Sequence, residues 1–315
     1  MRKQNLNPGF NPYEIIFCPT SNCNLKCPHC FVTRGNSLDA KDAVKFLKSC
    51  KNIEKVGFSG GEPFLEIDFV CELCRTVIEM DLMFDNLMTN GVWWKDEDEL
   101  RTSLEKIRDA GFDGKIGLSW DSFHGQPVQK IAVFINAVFD VFKDDSMVAI
   151  WSVIPHGRKK EDDRLMENKI NELKSILGNG IQIPVYRFNE SFLPEFEKSK
   201  NGERLIWHDN KWFEDDFCEA TGQVLYVHAN GNIAPCCGFA NECRKLIIGT
   251  VKDDYETVME NASKNQMVKI CYETGLSNYR KTIYKELKNK KIKPPKGKTN
   301  DMCQFCAWVA DNIDN

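Results

Sequence analysis

The chain has 315 residues, a formal net charge of −4 and 42% apolar residues, with Phe alone occurring 20 times. This length suits one large domain plus a smaller one, with enough apolar mass to build a core. No arginine-rich face is available to track phosphates, which argues against nucleic acid as a partner. No apolar run approaches the ~20 residues a membrane span needs, and Met1 to Asn5 lack the apolar region of a signal peptide. The expectation is a cytoplasmic protein with no membrane partner, and in that reducing compartment the 14 cysteines point to metal rather than to disulfides.

In chain order, Tyr13 to Cys18 reads as a strand that runs into Cys23-Asn24-Leu25-Lys26-Cys27-Pro28-His29-Cys30. The C-x3-C-x2-C spacing packs three thiols into eight residues of loop, and thiolates are the usual ligands of 4Fe–4S iron. Three cysteines on a four-iron cube leave one iron without a protein ligand, a place where a substrate can bind. Zinc fingers favour C-x2-C pairs with a later pair, so a triplet with no near fourth ligand fits zinc poorly. Asp39 to Lys51 reads as a helix with Ala43, Phe46, Leu47 and Cys50 on one face. Lys55 to Phe58 is a second strand and leads into Ser59-Gly60-Gly61-Glu62-Pro63. A Gly-Gly pair lets backbone approach a ligand closely, although the same residues also make an ordinary strand-to-helix turn. Glu66 to Met80 reads as a helix whose apolar stripe includes Cys71 and Cys74, which marks both as core thiols rather than ligands.

Met83 to Met88 is a third strand ending in Thr89-Asn90-Gly91, either a turn built on Asn-Gly or a polar strand end facing a ligand. A helix over Glu97 to Ala110 precedes a strand over Lys115 to Ser119, which ends in Trp120-Asp121-Ser122-Phe123-His124. Polar residues clustered at the C-terminal end of a barrel strand read as site residues; His124 carries no assignment. A helix with Val128, Ile131, Ile135 and Phe142 on one face, a strand over Met147 to Val153, a polar helix over Glu161 to Leu177 and a strand over Ile181 to Phe188 follow. Six such units in a row predict an α/β fold with a mostly parallel sheet, and six strands are too few to close a barrel of eight. Asn189 to Phe217 shows no period, so the chain divides into a barrel unit over 1–190, a linker over 191–217 and a C-terminal module over 218–315.

In that module the cysteines return, as Cys218, Cys236, Cys237, Cys243, Cys271, Cys303 and Cys306. Val224 to His228, Asn230-Gly231 and Ile233 to Pro235 carry the strongest short signal for a hairpin. Cys218 before it, Cys236 after it and the distant Cys303-x2-Cys306 supply four thiolates, a ligand set for one further cluster or for zinc. Cys243 and Cys271 are too isolated to assign, and Cys237 is left over. Arg280 to Lys298 is strongly basic, which reads as a solvated face or as a dock for an acidic peptide.

The cysteine triplet, followed one unit later by Gly60-Gly61-Glu62-Pro63, resembles the radical S-adenosylmethionine (SAM) superfamily. The resemblance implies a partial, crescent-shaped (β/α)6 barrel. It implies a 4Fe–4S cluster on Cys23, Cys27 and Cys30 whose open iron chelates SAM, and a 5′-deoxyadenosyl radical that abstracts a hydrogen atom from substrate. It further implies SAM contacts from His29, which stands where an aromatic residue stacks near the adenine, from Gly60, Gly61 and Glu62, from Asn90 near the ribose and from Ser119. An electron donor such as flavodoxin or ferredoxin is the expected partner. The Asn-Gly hairpin and Ile233-Ala234-Pro235-Cys236-Cys237 resemble the twitch or SPASM-type auxiliary modules of that superfamily, which implies one auxiliary 4Fe–4S cluster held by Cys218, Cys236, Cys303 and Cys306. Chain length, the Cys-Cys pair and the terminal C-x2-C resemble radical SAM peptide epimerases. There a cysteine thiol returns hydrogen to the peptide α-carbon, a role that would fall to Cys237. That family carries an acidic residue on the first hairpin strand, where Gln223 to Tyr226 have none. The expected substrate is a ribosomally made peptide, bearing an acidic leader if the basic stretch is its dock. The alternatives are thioether or carbon–carbon crosslinking of a peptide, and, from another class, a non-catalytic iron–sulfur or zinc protein.

Overall fold

The computed structural model describes residues 9–155, 159–178, 181–189, 207, 209–214, 217–218, 223–237, 243–289 and 291–312. Strands and helices alternate as β1 (Glu14–Phe17), α1 (Ala40–Ser49), β2 (Lys55–Phe58), α2 (Ile67–Glu79), β3 (Met83–Thr89), α3 (Glu97–Asp109), β4 (Lys115–Ser119), α4 (Val128–Phe142), β5 (Val148–Ile154), α5 (Lys159–Leu177) and β6 (Val185–Asn189). The helices begin where capping chemistry permits. Asp39 accepts from the backbone N–H groups of Lys41 and Asp42 at α1, and Asp96 from that of Glu99 at α3, which satisfies donors that a helix start leaves unpaired. β6 begins four residues later than its apolar run suggests, because Pro184 has no N–H for the ladder; its carbonyl still accepts from Ile150 N at 2.8 Å.

β1 to β6 are all parallel, from Glu14↔Lys55 between β1 and β2 to Ile154↔Asn189 between β5 and β6. Alternate residues such as Ile15, Phe17, Val56, Phe58, Leu87, Ile116 and Leu118 are buried in one core with the apolar stripes of the helices. Cys71 and Cys74 belong to that core. The opposite face is concave. A Cβ on Gly57 would meet Ile16 and Asp85 side chains at 3.5 and 3.6 Å, and one on Gly117 would meet Met88 Sδ at 2.4 Å and Trp151 Nε1 at 3.4 Å. Those side chains therefore share the inner face.

The sheet does not stop at six strands, nor does it close. β7 (Val224–Val227) lies parallel to β1, with Glu14↔Val224 through Phe17↔Val227 in register. β8 (Asn232–Ala234) and β9 (Gly249–Thr250) then follow antiparallel, giving the order β6-β5-β4-β3-β2-β1-β7-β8-β9. The hairpin of the C-terminal module thus extends the barrel's own sheet. All four β7 residues are buried, so β1 is a central strand covered on both sides.

The module is completed by α6 (Tyr255–Lys264), α7 (Gln266–Lys269), a π-helical turn over Ile270–Thr274, α8 (Leu276–Asn289) and α9 (Met302–Asn312). Trp207 and Phe213, within the stretch read as a linker, pack on α9: Trp207 meets Trp308 with ring centroids at 5.4 Å and Phe213 meets Phe305 at 5.3 Å. Their backbone N–H groups donate to Lys296 O and Thr299 O at 3.1 and 3.0 Å. Within that linker reading, 191–206, 208 and 215–216 lie outside the described residues. In the basic stretch, Arg280 lies over the Trp212 ring at 4.6 Å and is a packing residue. Among the described residues no helix is long and apolar enough to cross a membrane.

Phe305 is fully buried at the centre of this aromatic group. Phe305→Ala is expected to lower stability by about 3–5 kcal/mol, read as a fall in the urea midpoint; a loss below about 1 kcal/mol would show that the rings do not form a packed core.

Candidate active site

The cysteine triplet sits in a loop with a closed neck. Thr20 pairs with Ser37 across an isolated bridge. Ser21 N donates to Asn36 O and Leu38 N to Pro19 O, each at 2.9 Å. Arg34 crosses the loop and donates to the carbonyls of Cys23 and Leu25.

The glycine turn is built against this loop. Gly61 N donates to Thr20 O at 2.9 Å and Glu62 N to Asn22 O at 2.8 Å. A Cβ on Gly60, whose φ is +118°, would meet Cys18 Sγ at 2.1 Å, and one on Gly61 would meet Asn22 O at 2.1 Å. Such approaches exclude any side chain, so the two glycines first of all let the loops touch.

Glu62 carries the next link. It is fully buried, and its carboxylate accepts from Thr89 Oγ1 at 2.8 Å, Asn90 N at 2.9 Å and Phe64 N at 3.2 Å. Burial pushes its pKa up to about 7 against the pull of those donors. Glu62 stands behind the wall of the cavity, joining the glycine turn to the end of β3. Asn90 makes the third joint: its Nδ2 donates to Asn24 Oδ1 at 2.8 Å and lies 3.7 Å from Cys23 Sγ.

These joints enclose a cavity of about 500 Å³ at the C-terminal ends of the parallel strands. It falls within the range of about 300–1,000 Å³ typical of small-molecule sites. Cys23, Cys27, Cys30, His29, Gly60, Gly61, Asn90, Ser119 and Cys237 all line it. Residues that sequence reasoning missed line it too: Arg34 and, on β5 and β6, Trp151, Ser152 and Phe188. Trp151 and Phe188 stack with centroids 5.2 Å apart and form an apolar wall. Their only sequence signal is alternation along strands otherwise indistinguishable from core.

Three polar atoms of residues that line the cavity are themselves shut off from solvent and have no hydrogen-bond partner within the protein: His29 Nδ1, Trp151 Nε1 and Ser152 Oγ. Each such atom costs about 1–3 kcal/mol. His29 lies against Phe123 at 4.6 Å and His124 at 4.9 Å, and burial lowers its pKa to about 4. His124 Nδ1 pairs with Asp121 Oδ1 at 2.8 Å. Burial opposes the His124 cation, but hydrogen bonds to Asp121 and Cys27 outweigh it and raise its pKa to about 9.

A second, smaller cavity adjoins the first and is lined by Cys218, Cys236, Cys271, Cys303 and Cys306. Cys303 lines both cavities. Thiolates bound to one zinc at about 2.3 Å stand about 3.8 Å apart. Among the described residues, the only group of three or more ligand atoms all within 4.8 Å of one another is His29, Asp121 and His124. Neither cysteine set brings three ligand atoms within that distance of one another, although Cys271 and Cys306 stand 3.6 Å apart, and the cysteines grouped on each cavity are the donor type that iron–sulfur clusters use.

Burial first, then Cys218 and Glu14, pushes the Cys237 thiol up to about 12. The acids whose charge reaches it, Glu14 and Asp85, come from β1 and β3 rather than from the hairpin. Burial, and then Asp85, raises the Glu14 pKa from 4.5 to about 7. The folded state therefore holds its proton longer than the unfolded chain does, and this contribution to stability is lost as pH rises from about 4.5 to about 7. Glu14→Gln should remove that loss, so its stability relative to the native protein should climb across this window; a difference independent of pH would contradict the assignment. Urea midpoints measured from pH 4 to 8 provide the check.

Residues 17–140 match the family model of the Radical SAM superfamily. A Bacillus subtilis (strain 168) protein named for peptide biosynthesis, YydG, is 22% identical over 279 residues, covering 81% of this chain and 79% of that protein. The S-adenosylmethionine-dependent nucleotide dehydratase RSAD2 of Siniperca chuatsi is 30% identical over 99 residues, covering 28% of this chain and 27% of that protein. Among solved structures, anSMEcpe with bound AdoMet and Cp18Cys peptide shares the fold at a TM-score of 0.56, with 17% identity over 96% of this chain and 100% of that one. The loop of three cysteines, the glycine turn bound to it and β2 to β4 all lie within residues 17–140, and that stretch is a radical SAM domain.

Proposed function

We propose that this protein is a radical SAM enzyme that modifies a ribosomally made peptide, and that its reaction is epimerisation at an α-carbon. The observation that carries the proposal is the single cavity lined at once by Cys23, Cys27 and Cys30 and by Cys237. A hydrogen-abstracting group and a hydrogen-returning thiol can thus share one substrate cavity.

In this reading Cys23, Cys27 and Cys30 hold the SAM-binding cluster. His29, Trp151 and Ser152, with Gly60, Gly61, Asn90 and Ser119, line the place of SAM. Glu62 acts from behind by holding the turn. When bound, the reduced cluster and SAM supply a 5′-deoxyadenosyl radical that removes the α-hydrogen atom. Cys237 would then donate the hydrogen atom of its S–H bond to the opposite face, and the thiyl left behind would be restored by one electron from the expected donor, flavodoxin or ferredoxin, and one proton from solvent. Trp151 and Phe188 offer an apolar wall for peptide side chains. The peptide class is supported by the name of the Bacillus subtilis relative and by the peptide in the structure that shares this fold. An auxiliary cluster in the C-terminal cysteine cavity completes the reading, with Cys218, Cys236, Cys303 and Cys306 as the set taken from the sequence.

Crosslinking is the second reading, favoured by Cys303, whose place on both cavities would let an electron pass from substrate to auxiliary cluster. Mass separates the two. In deuterated water epimerisation adds about one mass unit per event, since the S–H proton exchanges with solvent, whereas crosslinking removes two hydrogens. Cys237→Ala is expected to abolish the deuterated, epimerised peptide while SAM cleavage continues. Full turnover to epimer by this variant would return Cys237 to a packing role and end the epimerase reading.

A further inference from the structure

Cys271 has no partner cysteine near it in the sequence: it lies 35 residues from Cys306. In the fold it sits among thiols. Its Sγ is 3.6 Å from that of Cys306, its carbonyl accepts from Cys218 N at 3.3 Å, and it lines the small cavity beside Cys236. The thiols of Cys71 and Cys74, which are packing residues, share an apolar helix face instead.

The backbone around Cys271 is also unusual. It lies in the π-helical turn Ile270–Thr274, closed by Gly275 at φ +84°. A π turn gives up regular helical hydrogen bonding, and such turns recur at functional sites. Here the turn is pinned by the Tyr272 hydroxyl, which donates to the carbonyl of Pro235, the residue before Cys236. The widened turn thus directs Cys271 and anchors itself at the same small cavity.

Cys303 differs from its neighbours. Cys236, Cys271 and Cys306 are buried at 8%, 5% and 7% exposure; Cys303, like Cys218, is only partly buried, but of the five cysteines on the small cavity it alone also lines the wide one. We propose that Cys271 is a ligand of the auxiliary cluster, together with Cys218, Cys236 and Cys306, and that Cys303 stands free of the cluster on the wall of the substrate cavity. The proposal rests on the auxiliary-cluster reading and changes its ligand set. A cluster so held is fixed by a residue of the π turn, which ties the hairpin and the helices of the module to one metal group.

The test uses the full chain with Cys23, Cys27 and Cys30 replaced by Ala, reconstituted anaerobically with iron and sulfide. This parent should hold one cube of iron and sulfide. Adding Cys271→Ser should remove most of that iron or, if the serine oxygen binds, change the EPR spectrum of the reduced cluster. Thermal melts of the metal-free forms establish that the loss is not unfolding. Adding Cys303→Ser instead should leave both iron content and spectrum as in the parent, an outcome that decides the question even if Cys271→Ser fails to fold. Iron and spectrum unchanged in Cys271→Ser, or iron lost in Cys303→Ser, would overturn the proposal. A parent that binds no iron would overturn the auxiliary-cluster reading itself, and this proposal with it.

Discussion

The site depends on one close contact, the backbone pairing of the glycine turn with the cysteine loop. Gly61 N to Thr20 O and Glu62 N to Asn22 O are two hydrogen bonds, and they form only because neither glycine carries a Cβ. Every later joint builds on them. Once the turn is seated, Glu62 faces the end of β3 and binds Thr89 and Asn90, and Asn90 in turn holds Asn24 of the cysteine loop. The circuit runs from β1 through β2 to β3 and back to the loop. A flexible stretch with three thiols thereby takes a defined shape at the C-terminal ends of the strands, where ligand sites of open parallel sheets lie.

The electrostatics follow from the same enclosure. Two carboxyls in the barrel, the fully buried Glu62 and the partly buried Glu14, have pKa values raised to about 7. Burial is the leading cause for both; Glu62 is tied down by three donors, and Glu14 is coupled to Asp85. Asp121 follows a different logic, since its partner His124 is itself lifted to about 9 and the pair stays ionised together. The cavity wall is thus a mixture of satisfied charges and a few unsatisfied neutral atoms, His29 Nδ1, Trp151 Nε1 and Ser152 Oγ. The satisfied groups position the wall.

Much of this was legible in the chain because its signals are local. The C-x3-C-x2-C spacing lies within eight residues, the glycine turn follows a short strand, and the helical stripes repeat within single elements, so α3, α4, β2 and β4 fall where periodicity puts them. What was not legible depends on distant pairing. Nothing in Val224–Val227 says that it aligns with Glu14–Phe17 and merges the hairpin into the barrel. Nothing in Trp207 or Phe213 says that they pack on α9. Cys271 read as isolated because a π turn, which has no composition signal, carries it to thiols far along the chain. Motif spacing marks Glu62 as part of the SAM-contacting turn but does not convey that its buried carboxylate binds Thr89, Asn90 and Phe64 and so ties that turn to the end of β3.

The central claim is that Cys23, Cys27 and Cys30 form a radical-generating site in the wide cavity. The most direct measurement is 5′-deoxyadenosine released by the anaerobically reconstituted protein on addition of SAM and dithionite. The account predicts release by the native chain and none by Cys27→Ala. No release by the native chain, or equal release by the variant, would contradict it.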